Sequence, residues 1–321
     1  MVTRGPGPKK TDPPAAVSLR SERPPRNARS HRPGAAGIIP RMFSPYINEG
    51  VPVAVFWLFV SAAILIQGIS KSGFAGGAGI LSMPLMFFVM PVNRAAAVML
   101  PLLILCDMNA IYHHRHNKDW KTILRIYLPS LFGILAGAAV WWWIGQEGVE
   151  RYGIWIKRFV GVIAIVFALY IVSKEAAMSW VDRFRPGAGV GVVAGLAAGF
   201  SSTIAHAAGP IVSLYIFAQD LGKTLFVGTV AWTFTLINLS KLPFYIGAGL
   251  IEKDVLLLGA VLVPLIPAGS WLGKWMHHRV SERLFNRIIL VLVFIAGIQL
   301  IFGINPVSWV LTLFRGGAAP G

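Results

Sequence analysis

Charge is what this sequence has least of. Only 13% of its 321 residues are Asp, Glu, Lys or Arg, against about 25% in an ordinary soluble domain. So few charges cannot clothe a globule of this size, which excludes a water-soluble enzyme or binding domain. Cysteine is limited to Cys106, which excludes an intrachain disulfide; inside an apolar run it reads as a small buried residue. No G-x-x-x-x-G-K-[ST] phosphate loop occurs, so ATP drive by this chain is not expected. Acidic residues number thirteen, leaving a net charge of +16. Nine of the 29 Lys/Arg fall in residues 1–41 and most others sit between apolar runs. That is the distribution of loops flanking membrane spans, and no nucleic-acid partner is expected from it.

What the chain has instead is apolar length, at 55% of all residues. Residues 1–41 are rich in Pro, Arg, Gly and Ala without apolar periodicity. They read as a disordered basic tail lacking the apolar core of a signal peptide, or as a misassigned start with Met42 the initiator. Beyond them, apolar runs cover 53–69, 80–90, 95–112, 123–144 and 159–173. After a polar linker at 174–187 they resume at 188–200, 210–218, 226–250, 255–276 and 288–304. A spanning helix needs roughly 20 apolar residues, so the chain is expected to be an all-α polytopic integral membrane protein. The order of run lengths is similar in both halves. Lys118-Asp119 and Lys253-Asp254 open corresponding runs, Pro129 and Pro264 follow at one offset, and Ala78-Gly79 matches Ala208-Gly209. Two membrane repeats are therefore expected, 51–173 and 188–304, each a broken helical hairpin plus three transmembrane helices. An odd number of side changes per repeat inverts the second relative to the first, as alternating access requires.

Twelve Lys/Arg lie in the loops 114–125, 174–187, 219–224 and 274–287, against six on the other side. The positive-inside bias then places both termini outside, although a genuine basic tail would oppose that orientation.

Two interruptions carry the candidate chemistry. Residues 68–79 hold five glycines together with Lys71. Broken backbone at membrane depth needs a protein or watery lining, and the helix restarting near Gly79 offers free N–H groups and a positive dipole end to an anion. Gly76, Gly77 and Gly79 are the expected backbone donors; the alternative is close helix packing through small residues. Residues 199–210 hold Ser201, Ser202, Thr203, His206 and a restart at Gly209-Pro210. Ser202 and Thr203 either donate to an oxyanion or bond back to their own helix. His206 is a proton carrier or a hydrogen-bonded interior histidine. Charges deep in apolar runs are functional candidates. Asn238 and Lys241, one turn apart, form a polar stripe facing a cavity, where Lys241 binds the anion or pairs with Asp107. Asp107 is a structural or near-interface residue, with proton coupling a second role. His113, His114 and His116, and His277 with His278, lack metal-ligand spacing with a helical glutamate or cysteine. Neither metal nor cofactor is expected.

The stretches GFAGGAGILSMP (73–84), LPLLILCD (100–107), GFSSTIAHAAGP (199–210), Val227-Gly228-Thr229 and NLSKLP (238–243) followed by Tyr245 resemble the TauE/SafE sulfite exporter family. The resemblance runs from about residue 53 to 303 and departs at His206, where a small residue, often glycine, is expected. It implies a secondary transporter, in export or uptake, of sulfite or an organosulfonate in the cell membrane. The bilayer and a small anion are its partners, coupling is to protons or membrane potential, and a homodimer is compatible with it. The rivals are a membrane-embedded metalloenzyme using the histidine clusters and an anion channel.

Overall fold

The computed structural model describes residues 43–73, 77–176 and 186–307; the expectations for the tail 1–41, for Gly76 and for most of the linker 174–187 lie outside them. Among the described residues every regular element is helical. Helix α1 spans Val53–Gly73, a 3-10 turn Gly77–Leu81 leads into α2 at Ser82–Val89, and α3 (Val92–His114), α4 (Trp120–Glu147) and α5 (Val149–Ala176) follow. The chain continues with α6 (Ala188–Ala205), α7 (Gly209–Phe217), α8 (Lys223–Gly247), α9 (Lys253–Leu262), α10 (Leu265–Arg279) and α11 (Glu282–Phe302). Among the described residues seven segments are long and apolar enough to cross a bilayer, α9 and α10 counting as one. Their outer faces carry large apolar side chains: Phe132 is 68% exposed, Trp142 65% and Trp271 68%. Such a surface is tolerable only in lipid.

Each half opens with a hairpin. Ser82 Oγ donates to Ala63 O at 2.8 Å, and Asn48 N donates to Val89 O at 2.9 Å. The chain after Gly77 therefore runs back along α1. In the second half Gly191 lies against Tyr215 and Gln219 Nε2 donates to Pro186 O at 3.2 Å, so α7 runs back along α6.

The second break is shorter than the run of small and polar residues suggests. Helix α6 continues to Ala205 because the hydroxyls bond inward: Ser201 Oγ donates to Ala197 O and Thr203 Oγ1 to Gly199 O, at 2.7 and 2.8 Å. The matched prolines also differ in effect. Pro129 stays inside the continuous α4, whereas α9 ends just before Pro264 and α10 starts just after it. There Pro264 and Pro267 remove two donors from one turn. Helix α5 begins ten residues ahead of its apolar run, because Glu150, Arg151, Lys157 and Arg158 interrupt apolarity without opposing helix.

Helix pairs join the residues before the linker to those after it. Helix α1 packs on α10 and α6 on α4, while α3 meets α8 and α5 meets α11. Glycine sets these approaches, as small residues do between membrane helices. A Cβ added at Gly199 would stand 2.0 Å from Ser130 O, and one at Gly133 2.2 Å from Leu196 O. Gly68 faces Gly269 Cα at 2.9 Å by the same measure, and Gly161 faces Gly297 O at 2.6 Å. Between α3 and α4 the chain is fixed by Asp119, which caps α4. Its carboxylate accepts from Thr122 Oγ1 at 2.5 Å, Thr122 N at 3.1 Å and Lys121 N at 3.3 Å. Its own N–H donates to Thr229 Oγ1 of α8 at 2.9 Å.

Gly199→Ala is expected to destabilise the protein by ~1–3 kcal/mol, the usual cost of overpacking. Gly145→Ala, where a Cβ meets nothing within 4 Å, should leave thermal unfolding in detergent unchanged or raise it. Asp119→Ala should cost ~1 kcal/mol as a lost N-cap. The Thr122 hydroxyl, followed by the backbone N–H donors, holds the Asp119 carboxyl below the usual carboxylate range. Its contribution is present above the unfolded value of ~3.9 and is lost as pH falls through the lower folded value. The stability gap between wild type and Asp119→Ala should therefore close in acid. Unfolding curves at neutral and acid pH measure that difference.

Candidate functional site

A cavity of about 60 Å³ lies where the two hairpins meet α3 and α8. One water needs ~10–15 Å³ of such space, so several waters or one small oxyanion fit. Its polar wall is Gln67 and Lys71 from α1, Asp107 from α3, Ser202 and His206 from the end of α6, and Asn238 from α8. Leu103 and Phe234 supply apolar wall.

The polar groups form two linked clusters. In the first, Lys71 Nζ donates to Asp107 Oδ1, and Asn238 Nδ2 donates to Asp107 Oδ2 at 2.6 Å. Asp107 is only 1% exposed; both its oxygens are thus held by side chains from two other helices. Lys71 also lies 5.7 Å from the centre of the Phe234 ring. In the second, Lys241 Nζ donates to Ser202 O at 3.1 Å, Ser202 Oγ at 2.8 Å and His206 Nδ1 at 2.9 Å. An ammonium has three protons, so a charged Lys241 would have an acceptor for each of them. His206 Nε2 meets Ala96 O at 2.9 Å. A carbonyl can only accept, so Nε2 carries the proton. With Lys241 charged, Nδ1 is the bare acceptor and the imidazole is neutral.

The backbone makes this second cluster possible. His206 caps α6 with φ 52° and ψ 29°, a left-handed conformation that L-residues other than glycine, asparagine and aspartate seldom enter. This turn swings the imidazole from the end of α6 toward α3 and α8. Behind it, the carbonyl of Thr203 accepts from Trp141 Nε1 at 2.9 Å and from Tyr245 Oη at 2.6 Å. These bonds satisfy a helix-end carbonyl that has no water to use.

The sequence-derived candidates fall into three groups. Lys71, Gly79, Asp107, Ser202, His206, Gly209 and Asn238 all line the one cavity. Lys241 and Thr203 are fully buried just behind it. Gly77 opens the 3-10 turn, and Gly76 lies outside the described residues. The N–H of Gly79 is taken by Ser70 Oγ at 2.9 Å, while its carbonyl accepts from Gln67 Nε2 at 3.2 Å. Gly68, from the same glycine-rich stretch, serves helix packing. The pairing of Lys241 with Asp107 does not occur: Asp107 is held by Lys71, and Asn238, one turn before Lys241, stands on its second oxygen.

Gln67 and Trp141 are supporting residues that reading by residue type passes over, and Tyr245 enters the sequence reading only through the family resemblance. Each had a signal, a hydrogen-bonding group within an apolar run; Gln67 also precedes Lys71 by one helical turn. Among the described residues no group of three His, Cys, Asp or Glu is placed to hold a metal; the side chains of His113, His277 and His278 lie outside them.

Comparison with known proteins gives one match. The family described as Sulfite exporter TauE/SafE matches residues 60–300, a stretch that contains every site residue named above. No curated protein and no solved structure matches the chain. The match covers well over half of the 321 residues, and the chain belongs to the TauE/SafE sulfite exporter family, a family of multi-pass membrane transporters.

Proposed function

We propose that the chain is a secondary carrier in the cell membrane that moves a small oxyanion, sulfite or an organosulfonate, by alternating access. One observation carries this reading: the site holds two lysines and one carboxylate. Lys71 is neutralised by Asp107. Lys241 is 0% exposed, and among the described residues no carboxylate oxygen lies within ion-pair distance of it. Its hydrogen bonds go to neutral acceptors, and Asp107, which acts on it only from beyond ion-pair distance, is already matched by Lys71. An uncompensated ion in a low-dielectric interior carries a penalty of several kcal/mol. A bound anion offsets that penalty, whereas a cation or neutral solute does not.

The substrate would enter the cavity against Lys71, Ser202 and Asn238, with the first turn of α7 at Gly209 adding the positive end of its dipole. Alternating access is supported by the correspondence of the halves: a hairpin opens each, and α1 on α10 mirrors α6 on α4. Two such halves inverted in the membrane give outward-open and inward-open forms that exchange roles. A carrier is favoured over a channel because Gly79 and His206, one from each hairpin, both line the cavity wall. An anion that neutralises the cluster lowers the cost of enclosing it, which links occupancy to closure.

Uptake of labelled sulfite and sulfoacetate into proteoliposomes tests the reading. Wild type should show saturable uptake, and Lys241→Met, which removes the excess charge, should lose at least tenfold in rate while eluting as a folded protein. Undiminished uptake by Lys241→Met would refute the role of the charge. No uptake of either anion by folded wild type would remove the sulfur assignment.

A further inference from the structure

We propose that His206 sets the size of anion the site admits, by covering Lys241; this rests on the anion-carrier reading. Three observations converge on that residue. The cavity touches His206 and Ser202 but not Lys241, so these two residues form the wall between the ammonium and the space a substrate would fill. Two of the three Lys241 bonds go to Ser202, through its fixed helix carbonyl and its hydroxyl. The third goes to His206 Nδ1 at 2.9 Å, an acceptor on a ring that itself lines the cavity. The imidazole thus occupies the one donor of Lys241 that a substrate oxygen could take over.

The backbone supplies the third observation. Position 206 has φ 52°, where a residue without Cβ is unstrained. A bulky side chain here opposes local preference, and the structure retains it with both ring nitrogens engaged, one on Lys241 and the other on Ala96 O. It acts as a plug. With the imidazole in place the accessible space is about 60 Å³, enough for a compact oxyanion. Without it the cavity gains the ring's own volume and reaches the ammonium directly, so an anion with an organic tail can place its charged head on Lys241. His206 is then a specificity-determining residue. It discriminates by exclusion, and the ammonium it covers supplies the attraction.

His206→Gly suits the backbone conformation, and His206→Asn tolerates it while filling less space. Competition by sulfite, methanesulfonate and benzenesulfonate against uptake of labelled sulfite gives a relative affinity for each anion. Benzenesulfonate should gain about tenfold or more relative to sulfite in His206→Gly, the scale of discrimination by pocket fit, with His206→Asn between Gly and wild type. Reaction of Lys241 with a small amine-directed reagent, followed by mass spectrometry, should be faster in His206→Gly than in wild type. An unchanged ranking of the three anions in both folded variants would overturn the inference while leaving the carrier reading intact. No anion-sensitive uptake by wild type or either variant would overturn the carrier reading, and the size-setting role with it, even if Lys241 labelling accelerates.

Discussion

The buried ion pair between Lys71 and Asp107 and the lysine left outside it govern the rest of this structure. Lys71 comes from α1, Asp107 from α3, Asn238 and Lys241 from α8, and Ser202 and His206 from the end of α6. A charge in lipid can be retained only if protein surrounds it. Both hairpins, α3 and α8 therefore supply residues to one cluster and its cavity.

Convergence of that many backbones requires closeness that ordinary side chains would prevent. Membrane helices gain nothing from burying one apolar face against another rather than against lipid, so they associate through contact quality. The glycine contacts between α4 and α6, α1 and α10, and α5 and α11 supply that contact and tie one half of the chain to the other. Away from the membrane interior, Asp119 and Thr229 perform a comparable task with a cap and a hydrogen bond. The result is a scaffold in which the halves interlock around a small polar centre. Any change of access has to move one set of helices past another across those contacts.

Much of this is legible in the amino-acid order. Apolar runs of bilayer length announce the spans, and two glycine-rich or hydroxyl-rich breaks announce the hairpins. Asn238 and Lys241, one turn apart on α8, read as a stripe facing a cavity; Asn238 lines the cavity and Lys241 lies buried behind it. What is not legible is partnership across the fold. Asn238 turns to Asp107 while Lys241 turns to Ser202 and His206, and no local pattern assigns those partners. The use of each hydroxyl is equally hidden: Ser201 and Thr203 bond into their own helix, whereas Ser202 between them faces Lys241. The helical rotation of 100° per residue decides which one faces the site, and that angle becomes informative only once the neighbours of α6 are known. The conformation of His206 is hidden for the same reason, since histidine gives no sign of a left-handed cap.

The central claim is that excess positive charge at this centre is what binds an anion, and a charge-restoration series tests it most directly. Sulfite binding to purified protein would be measured calorimetrically for wild type, Lys241→Met, and Lys241→Met combined with Asp107→Asn. The single variant leaves Lys71 cancelled by Asp107, and the double variant frees Lys71 to supply one net positive charge again. Weakened binding in the single variant and recovery in the double variant is the result this account predicts. A folded double variant that binds sulfite no better than Lys241→Met would contradict it.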